Sequence, residues 1–510
     1  MQMTPDDLVW EQAEEISDKW LLQVLQHDVL RSIGAFILAH ERGLGTEIDI
    51  LRKGSYNISV WLKYRNKATI PTVLRLAQPG AVMFPEENVV NEVAIMRFLA
   101  DQTFIPIPLI LHSGTKKESP LELSPFIMME YMEHDTKKYA ALNTPGCPVE
   151  DRGVLDPDID ESRLEHLYSQ LARILLQLPM PSLPRIGSLS QIDEFTWDVT
   201  RRPLTMNMNE LVRIGGLPQS KLPDLNVTFD TSSSYIEALA NINIEHLVHQ
   251  RNDSVKSADD CRRKFVARQL FHKLAKEGKF MNPLLEKGPF KIWCDDLRPA
   301  NMLLTENPTK NAGVVDWEFT YAAPVEFSYA PPWWLLIERP ELWPKGIEDW
   351  TRVFEHRLKT TFLNAMNDCE NTLIQQLWLR EDQRLSGPMY ESWESGDLWT
   401  IYAATHSFAF DEIYWHKIDP RYFGPTKDKD LEGVEGAWKE KLGLLDDEEK
   451  EEMELLVARK LMEMGTRALS WDPDEYTLAF HEQCKSQEKA EVESNLKESM
   501  DSKPTHDEIK

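Results

Sequence analysis

The chain has 510 residues, 42% hydrophobic and 28% charged, with a formal net charge of −27 from 84 acidic and 57 basic side chains. That composition is globular and long enough for two or three structural units. Its acidic balance excludes a surface built for nucleic acid or anionic lipid and leaves solubility, or attraction of a cationic substrate.

No apolar run approaches the roughly 18 residues that span a bilayer. Residues 1–20, MQMTPDDLVWEQAEEISDKW, lack the apolar core of a signal peptide and the arginines of a transit peptide. Cys147, Cys261, Cys294, Cys369 and Cys484 are dispersed without a CxxC pair. This argues against a disulfide framework or zinc site and for a reducing, cytoplasmic compartment.

In chain order, residues 5–43 carry apolar groups at helical spacing, which predicts one or two helices with Gly43 as a stop. From about 47 the period shortens. IDILRKGSYNISVWLKYRN and TIPTVLRLAQPG read as strands, ENVVNEVAIMRFLADQ (87–102) as a helix, PIPLILHSG and PFIMMEYMEHD as strands again. Residues 47–133 are therefore a small α+β unit. Residues 136–160 read as a loop, SRLEHLYSQLARILLQLPM as a helix, 181–250 as mixed with turn-rich pieces LPRIGSLS and RRPLT, and DDCRRKFVARQLFHKLAKE as a helix. Two short strands follow around 290–319, then a tryptophan-rich helical region. Residues 444–469 place Asp446, Asp447, Glu448 and Glu449 before Arg459, Lys460 and Arg467, an order that suits a helix dipole. Beyond 482 large apolar groups almost vanish, and the tail is expected to be disordered.

The chemistry concentrates in KIWCDDLRPANM (291–302) and AGVVDWEFTY (312–321). Asp296 stands five positions before Asn301, which leads into the short apolar strand Met302-Leu303-Leu304. A second buried strand, Gly313-Val314-Val315, ends at Asp316. Phosphoryl transfer to a hydroxyl needs a carboxylate to take the proton, and hard oxygen ligands for the magnesium that neutralises the nucleotide phosphates. A strand–loop–strand hairpin can bring all three groups to one cleft. The plain alternative is a hairpin with acids at its turns.

CDDLRPANMLL followed by GVVDWEF resembles the catalytic and metal loops of the aminoglycoside phosphotransferase family, relatives of protein kinases, and IGSLS, RRPLT and the final helical region resemble its fungal branch. The resemblance covers about 47–420, with 190–260 matched loosely. It implies an α+β, two-lobed, protein-kinase-like fold. The expected organisation is a helical extension (1–46), a nucleotide-binding lobe (47–133), a catalytic and acceptor-binding lobe (134–425), a helical extension (426–481) and the acidic tail (482–510). It implies Asp296 as the catalytic acid, Asn301 and Asp316 as magnesium ligands, and Asp295 as the accessory acid facing elsewhere.

Upstream, Lys53-Gly54-Ser55-Tyr56-Asn57 matches a phosphate-facing loop, whose backbone N–H groups can form an anion nest; alone it reads equally as a hairpin turn. Arg75 stands where these folds carry a lysine, and Glu92 matches its helix partner; a surface arginine is the alternative. PFIMMEYMEH resembles the hinge between lobes, so backbone groups near Glu130, Tyr131 and Met132 would bind adenine. Cys294 replaces the usual histidine and reads as a buried packing residue rather than a nucleophile.

The expected activity is ATP- and Mg2+-dependent phosphorylation of a hydroxyl on a small molecule, with no nucleic-acid or membrane partner. Arg75 and Cys294 motivate the main rival, a nucleotide-binding pseudokinase acting as a scaffold. A protein kinase is disfavoured because no APE-like segment or long activation loop follows Asp316. Asp411 and Glu412 are candidates to face a cationic acceptor, or else helix-packing acids. The sequence carries no signal for acceptor identity or oligomeric state.

Overall fold

The computed structural model describes residues 3–40, 45–64, 71–148, 151–306, 309–425 and 434–501. The first third folds with the periods expected. Helices α1 (Asp7–Val24) and α2 (His27–His40) precede strands β1 (Gly45–Lys53), β2 (Asn57–Tyr64) and β3 (Thr72–Ala77). Helix α3 (Pro85–Gln102) follows, then β4 (Ile110–Gly114) and β5 (Phe126–Glu130). The strands form one antiparallel sheet in the order β1-β2-β3-β5-β4. Asp6 starts α1 by accepting the Val9 N–H, and Pro85 opens α3 at a position where its missing N–H costs nothing. Gly43 lies outside the described residues.

Alternation along the strands divides the sheet into two faces. Ile58, Val60, Leu62, Leu74, Leu76, Phe126 and Met128 pack with Trp20, Val24, Ile33 and Ile37 of α1 and α2, and with Phe480 from the far end of the chain. Val73, Ile127 and Met129 join the main core on the other side. Arg75 shares that second face, since Ser59 and Ile127 are its cross-strand neighbours. The N-terminal helices thus cover the back of the sheet. Among the described residues no single helix is long and apolar enough to cross a membrane; α1 and α2 pass only as a pair, bent by 72°.

The second lobe is mainly helical. In order it contains β6 (Thr136–Lys137), α4 (Lys138–Leu142), α5 (Glu161–Leu175), β7 (Ser188–Gln191), β8 (Trp197–Arg201), α6 (Met206–Ile214), α7 (Ser232–His249) and α8 (Ala258–Lys276). Strands β9 (Phe290–Cys294), β10 (Met302–Glu306), β11 (Thr309–Val314) and β12 (Thr320–Pro324) come next, with further helices beyond. β10 pairs with β11 and β6, and β9 with β12. The segment expected as a loop from 136 therefore begins with a short strand and helix, because Thr136 and Lys137 find pairing partners in Leu304 and Leu303. The mixed stretch after 181 holds a hairpin and two capped helices; Thr205 and Thr231 cap α6 and α7.

At the far end the helix-packing alternative holds for Asp411, and one expectation changes. Asp411 is fully buried and accepts two hydrogen bonds from Arg268 (2.8 and 3.1 Å), so it braces packed helices and faces no acceptor. The tail expected to be disordered from 482 is helical to Asp501, continuing the helix Glu475–Asp501. Glu, Lys, Ala and Gln are good helix formers, the helix is anchored at its start by buried Thr477 and Phe480, and Lys19 meets Glu488 (2.6 Å). Residues 502–510 lie outside the described residues.

Candidate active site

One cleft of about 250 Å³ lies between the sheet lobe and the helical lobe. It is lined by Gly54, Ser55, Asn57, Arg75, Glu92, Glu130, Tyr131, Met132, Asp296, Asn301 and Asp316, so the residues singled out from the sequence converge on one place.

The floor is built from β9, β10 and β11. Buried β9 delivers the two aspartates and splits their roles. Asp295 accepts from the Trp293 indole (2.8 Å), the Tyr321 hydroxyl (3.1 Å) and the Met206 N–H at the start of α6 (3.0 Å). Burial pushes its carboxyl up to about 6. Asp296 turns into the cleft. The Asn301 side chain donates to its Oδ2 (2.9 Å) and its backbone carbonyl (3.0 Å), and Arg298 lies 2.7 Å from Oδ1. Burial raises its pKa, and Arg298 opposes that rise. Two lone-pair sites remain on such a carboxylate, enough to accept a hydroxyl. Asn301 spends its NH2 group on Asp296, which leaves the amide oxygen as the donor available to a cation.

Asp316 follows β11 with φ +61°, a left-handed turn that aspartate tolerates better than most residues. It is 30% exposed, and the Arg75 Nη1 donates to its Oδ1 (2.6 Å). Arg75, itself 7% exposed, gives Nη2 to Glu92, which is 1% exposed. Glu92 also accepts the Trp317 N–H (3.1 Å). One arginine therefore ties β3, α3 and the Asp316 turn together, through the charge-assisted bonds that a planar fork makes well.

The roof is the Gly54–Asn57 turn. The Gly54 N–H donates to the Asn57 carbonyl (2.8 Å), closing it. The Asn57 amide is turned onto Glu318 (3.2 and 3.3 Å), which also accepts from Asn88 of α3 (2.8 Å). Glu318 is 2% exposed, and burial raises it to about 7 although Arg75 pulls the other way. The hinge carries Glu130, Tyr131 and Met132 along the cleft's inner end; Tyr131 N–H donates to Pro71 (2.7 Å) and His134 Nδ1 lies 2.9 Å from the Met132 carbonyl.

Cys294 is buried behind the loop, its thiol donating to the Glu318 carbonyl (3.8 Å), and burial pushes the thiol up, away from nucleophile chemistry. Sequence reasoning missed Glu318 as a link to the roof and Arg298 as the cation on Asp296. An acid directly after the Asp316-Trp317 pair and a base two residues past Asp296 were the available signals.

A model of the phosphotransferase enzyme family (APH) matches residues 47–350, more than half of the chain. The chain belongs to this family. Its antiparallel-sheet lobe, its mainly helical lobe and the cleft between them have the two-lobed α+β arrangement expected. A Debaryomyces hansenii protein named altered inheritance of mitochondria protein 9, mitochondrial, is 24% identical over 275 residues, 48% of this chain and 42% of that protein. The chain thus matches about two fifths of that relative's length. Among solved structures, the aminoglycoside phosphotransferase APH(4)-Ia has a TM-score of 0.39 at 10% identity, over 84% of this chain and 98% of that one. A Plasmodium vivax ethanolamine kinase has a TM-score of 0.34 at 10% identity, over 78% of this chain and 81% of that one.

Proposed function

We propose that this member of the family transfers a phosphoryl group from ATP to the hydroxyl of a small molecule, with magnesium bound. The observation that carries the reading is the convergence of Asp296, Asn301, Asp316 and the Arg75–Glu92 pair on one cleft beneath the Gly54–Asn57 turn. Adenine would lie against the backbone of Glu130, Tyr131 and Met132, with the phosphates under the turn. Asn301 and Asp316 would hold magnesium: their oxygens are hard donors, and the Asn301 amide oxygen is the one its own hydrogen bonds leave over. When bound, the cation neutralises charge on the phosphates.

Asp296 accepts the acceptor hydroxyl's proton as the new oxygen–phosphorus bond forms. The bond from the γ-phosphorus to the bridging oxygen breaks, and ADP leaves. Arg298, on the cleft wall beside Asp296, opposes the rise that burial imposes on that carboxyl and offers charge to the transferring group. The dispersed, free cysteines support a reducing compartment, and a cytoplasmic location is part of this reading; the mitochondrial name belongs to the D. hansenii relative.

A second reading draws on the Arg75–Asp316 pair, which occupies a metal-ligand candidate with a side chain (2.6 Å). On that reading the chain binds nucleotide as a scaffold and transfers nothing. Screening hydroxylated metabolites, aminoglycosides and choline-like amines for ADP release separates the two. Release stimulated by one acceptor, and lost in Asp296→Asn, supports transfer; none with any acceptor, despite ATP binding, supports the scaffold.

A further inference from the structure

Gln78, at the end of β3 and 1% exposed, grips the Gly54–Asn57 turn twice. Its backbone N–H donates to the Tyr56 carbonyl (2.9 Å), and its side-chain Nε2 donates to the Gly54 carbonyl (3.0 Å). A trans peptide sets its N–H opposite its C=O. Holding the Gly54 carbonyl toward Gln78 therefore turns the Ser55 N–H away from Gln78, and Ser55 lines the cleft. The other end of the same carboxamide, Oε1, accepts the Ser17 hydroxyl from α1 (3.3 Å). The bond from α1 thus sets which end of the amide faces the turn.

A second route reaches the turn from the same helix. The Tyr56 hydroxyl donates to Glu210 of α6 (2.8 Å). Arg213 reaches Glu210 (3.5 Å) and Glu14 of α1 (2.6 Å). Helix α1 is itself fastened at several points. A Cβ at Gly80, where φ is +78°, would overlap the Ala13 carbonyl oxygen, so only glycine lets the two backbones approach. Asp6, which caps α1, accepts the Asn252 N–H (3.0 Å) and side chain (2.9 Å).

We infer that α1, although it precedes the stretch matched by the family, is a working part of the phosphate end of the cleft, and that Gln78 is the positioning residue through which it acts. The inference rests on the reading that the cleft takes ATP. A turn held at Gly54 and Tyr56 from behind keeps its N–H groups aimed at phosphate without rearrangement when nucleotide enters. The effect belongs to the phosphates and leaves the adenine end untouched.

The test is calorimetry on the full chain with magnesium-ATP and, separately, with adenosine, which has no phosphates. Gln78→Leu keeps the bulk and removes the amide. It is expected to weaken ATP binding roughly two- to tenfold, the range of one neutral hydrogen bond, with adenosine unchanged. The double variant Glu14→Gln, Ser17→Ala alters α1 alone, on side chains outside the cleft, and guards against a misfolded Gln78→Leu. It is expected to shift ATP in the same direction, again sparing adenosine. Equal losses for ATP and adenosine, or ATP affinity unchanged in both variants beside a wild type that binds it, overturn the inference alone. A wild type that binds no ATP overturns the phosphotransferase reading and this inference with it.

Discussion

The two loops that face each other across the cleft are built in opposite ways. Around Asp296 the decisive contacts are local: Asn301 is five residues away, and Trp293 reaches Asp295 across two. The Gly54–Asn57 turn is held by Gln78, Glu210 and Glu318, which lie 24, 154 and 261 residues from their partners. A loop whose key side chains lie within one short stretch of chain keeps those contacts wherever that stretch folds. A roof assembled from distant elements responds to everything that moves them. On the proposed reading, chemistry sits in the floor and nucleotide affinity is set in the roof.

The largest expected effect tests the floor. Asp296→Asn removes the proton acceptor while keeping the shape, and turnover should fall about 10²–10⁴-fold. Asp295→Asn, one residue away but turned to Trp293, Tyr321 and Met206, should lose much less. Comparable losses of turnover in a folded Asp295→Asn would erase the division between the two acids.

The tie between floor and roof comes next. Arg75→Met leaves Glu92 buried without its cation, and breaking a buried pair costs about 3–5 kcal/mol of stability. Because the pair acts as a unit, Arg75→Met with Glu92→Met should cost clearly less than the sum of the singles in denaturant unfolding. Simple additivity would mean that the arginine serves Asp316 and not Glu92.

How legible the molecule is follows the same division. Asp296, Asn301 and Asp316 are readable because their spacing on one hairpin is a sequence property. The sheet lobe is readable because alternation at Ile58, Val60 and Leu62 encodes a buried face. The role of Asn57 is not, since nothing near it in the chain announces Glu318 or Asn88. Gln78 passes as an ordinary strand-end residue until α1 is seen to hold it. Choosing between the two readings of Asp411 needs the fold for the same reason: its partner Arg268 is 143 residues away. The tail after 482 misleads. Lack of apolar residues speaks against an independent core, yet a helix propagated from an anchored start needs no core of its own.

A pH series sharpens the comparison within the floor. Burial raises Asp295 from its ordinary 3.8 to about 6, so the folded chain holds that proton more tightly than the unfolded one. The resulting contribution favours folding below about pH 4 and is lost as pH rises toward 6. The stability of the wild type relative to Asp295→Asn should accordingly decline across that window and level off above it. A difference that stays flat from pH 4 to 7 would show that Asp295 is ionised throughout.

The smallest effect concerns the far end of the roof's support. A chain ending at residue 482 keeps Thr477 and Phe480 and loses the Lys19–Glu488 pair, an exposed bridge of the kind worth about 0–1 kcal/mol. Its melting temperature should stay within a degree or two of the full chain. A larger drop would mean that the last helix carries more of the sheet lobe than its contacts indicate.

Thermal melting with ATP tests the central claim most directly. A ligand that binds only the folded state at a hundredfold excess over its Kd adds about 2.7 kcal/mol, a shift of a few degrees in a chain of this size. ATP with magnesium should give that shift in the wild type. ATP with chelator should give less, and Asp316→Asn with magnesium should fall to the chelator value. No shift at millimolar ATP, or a shift indifferent to both magnesium and Asp316, would contradict a magnesium-nucleotide site built on Asn301 and Asp316.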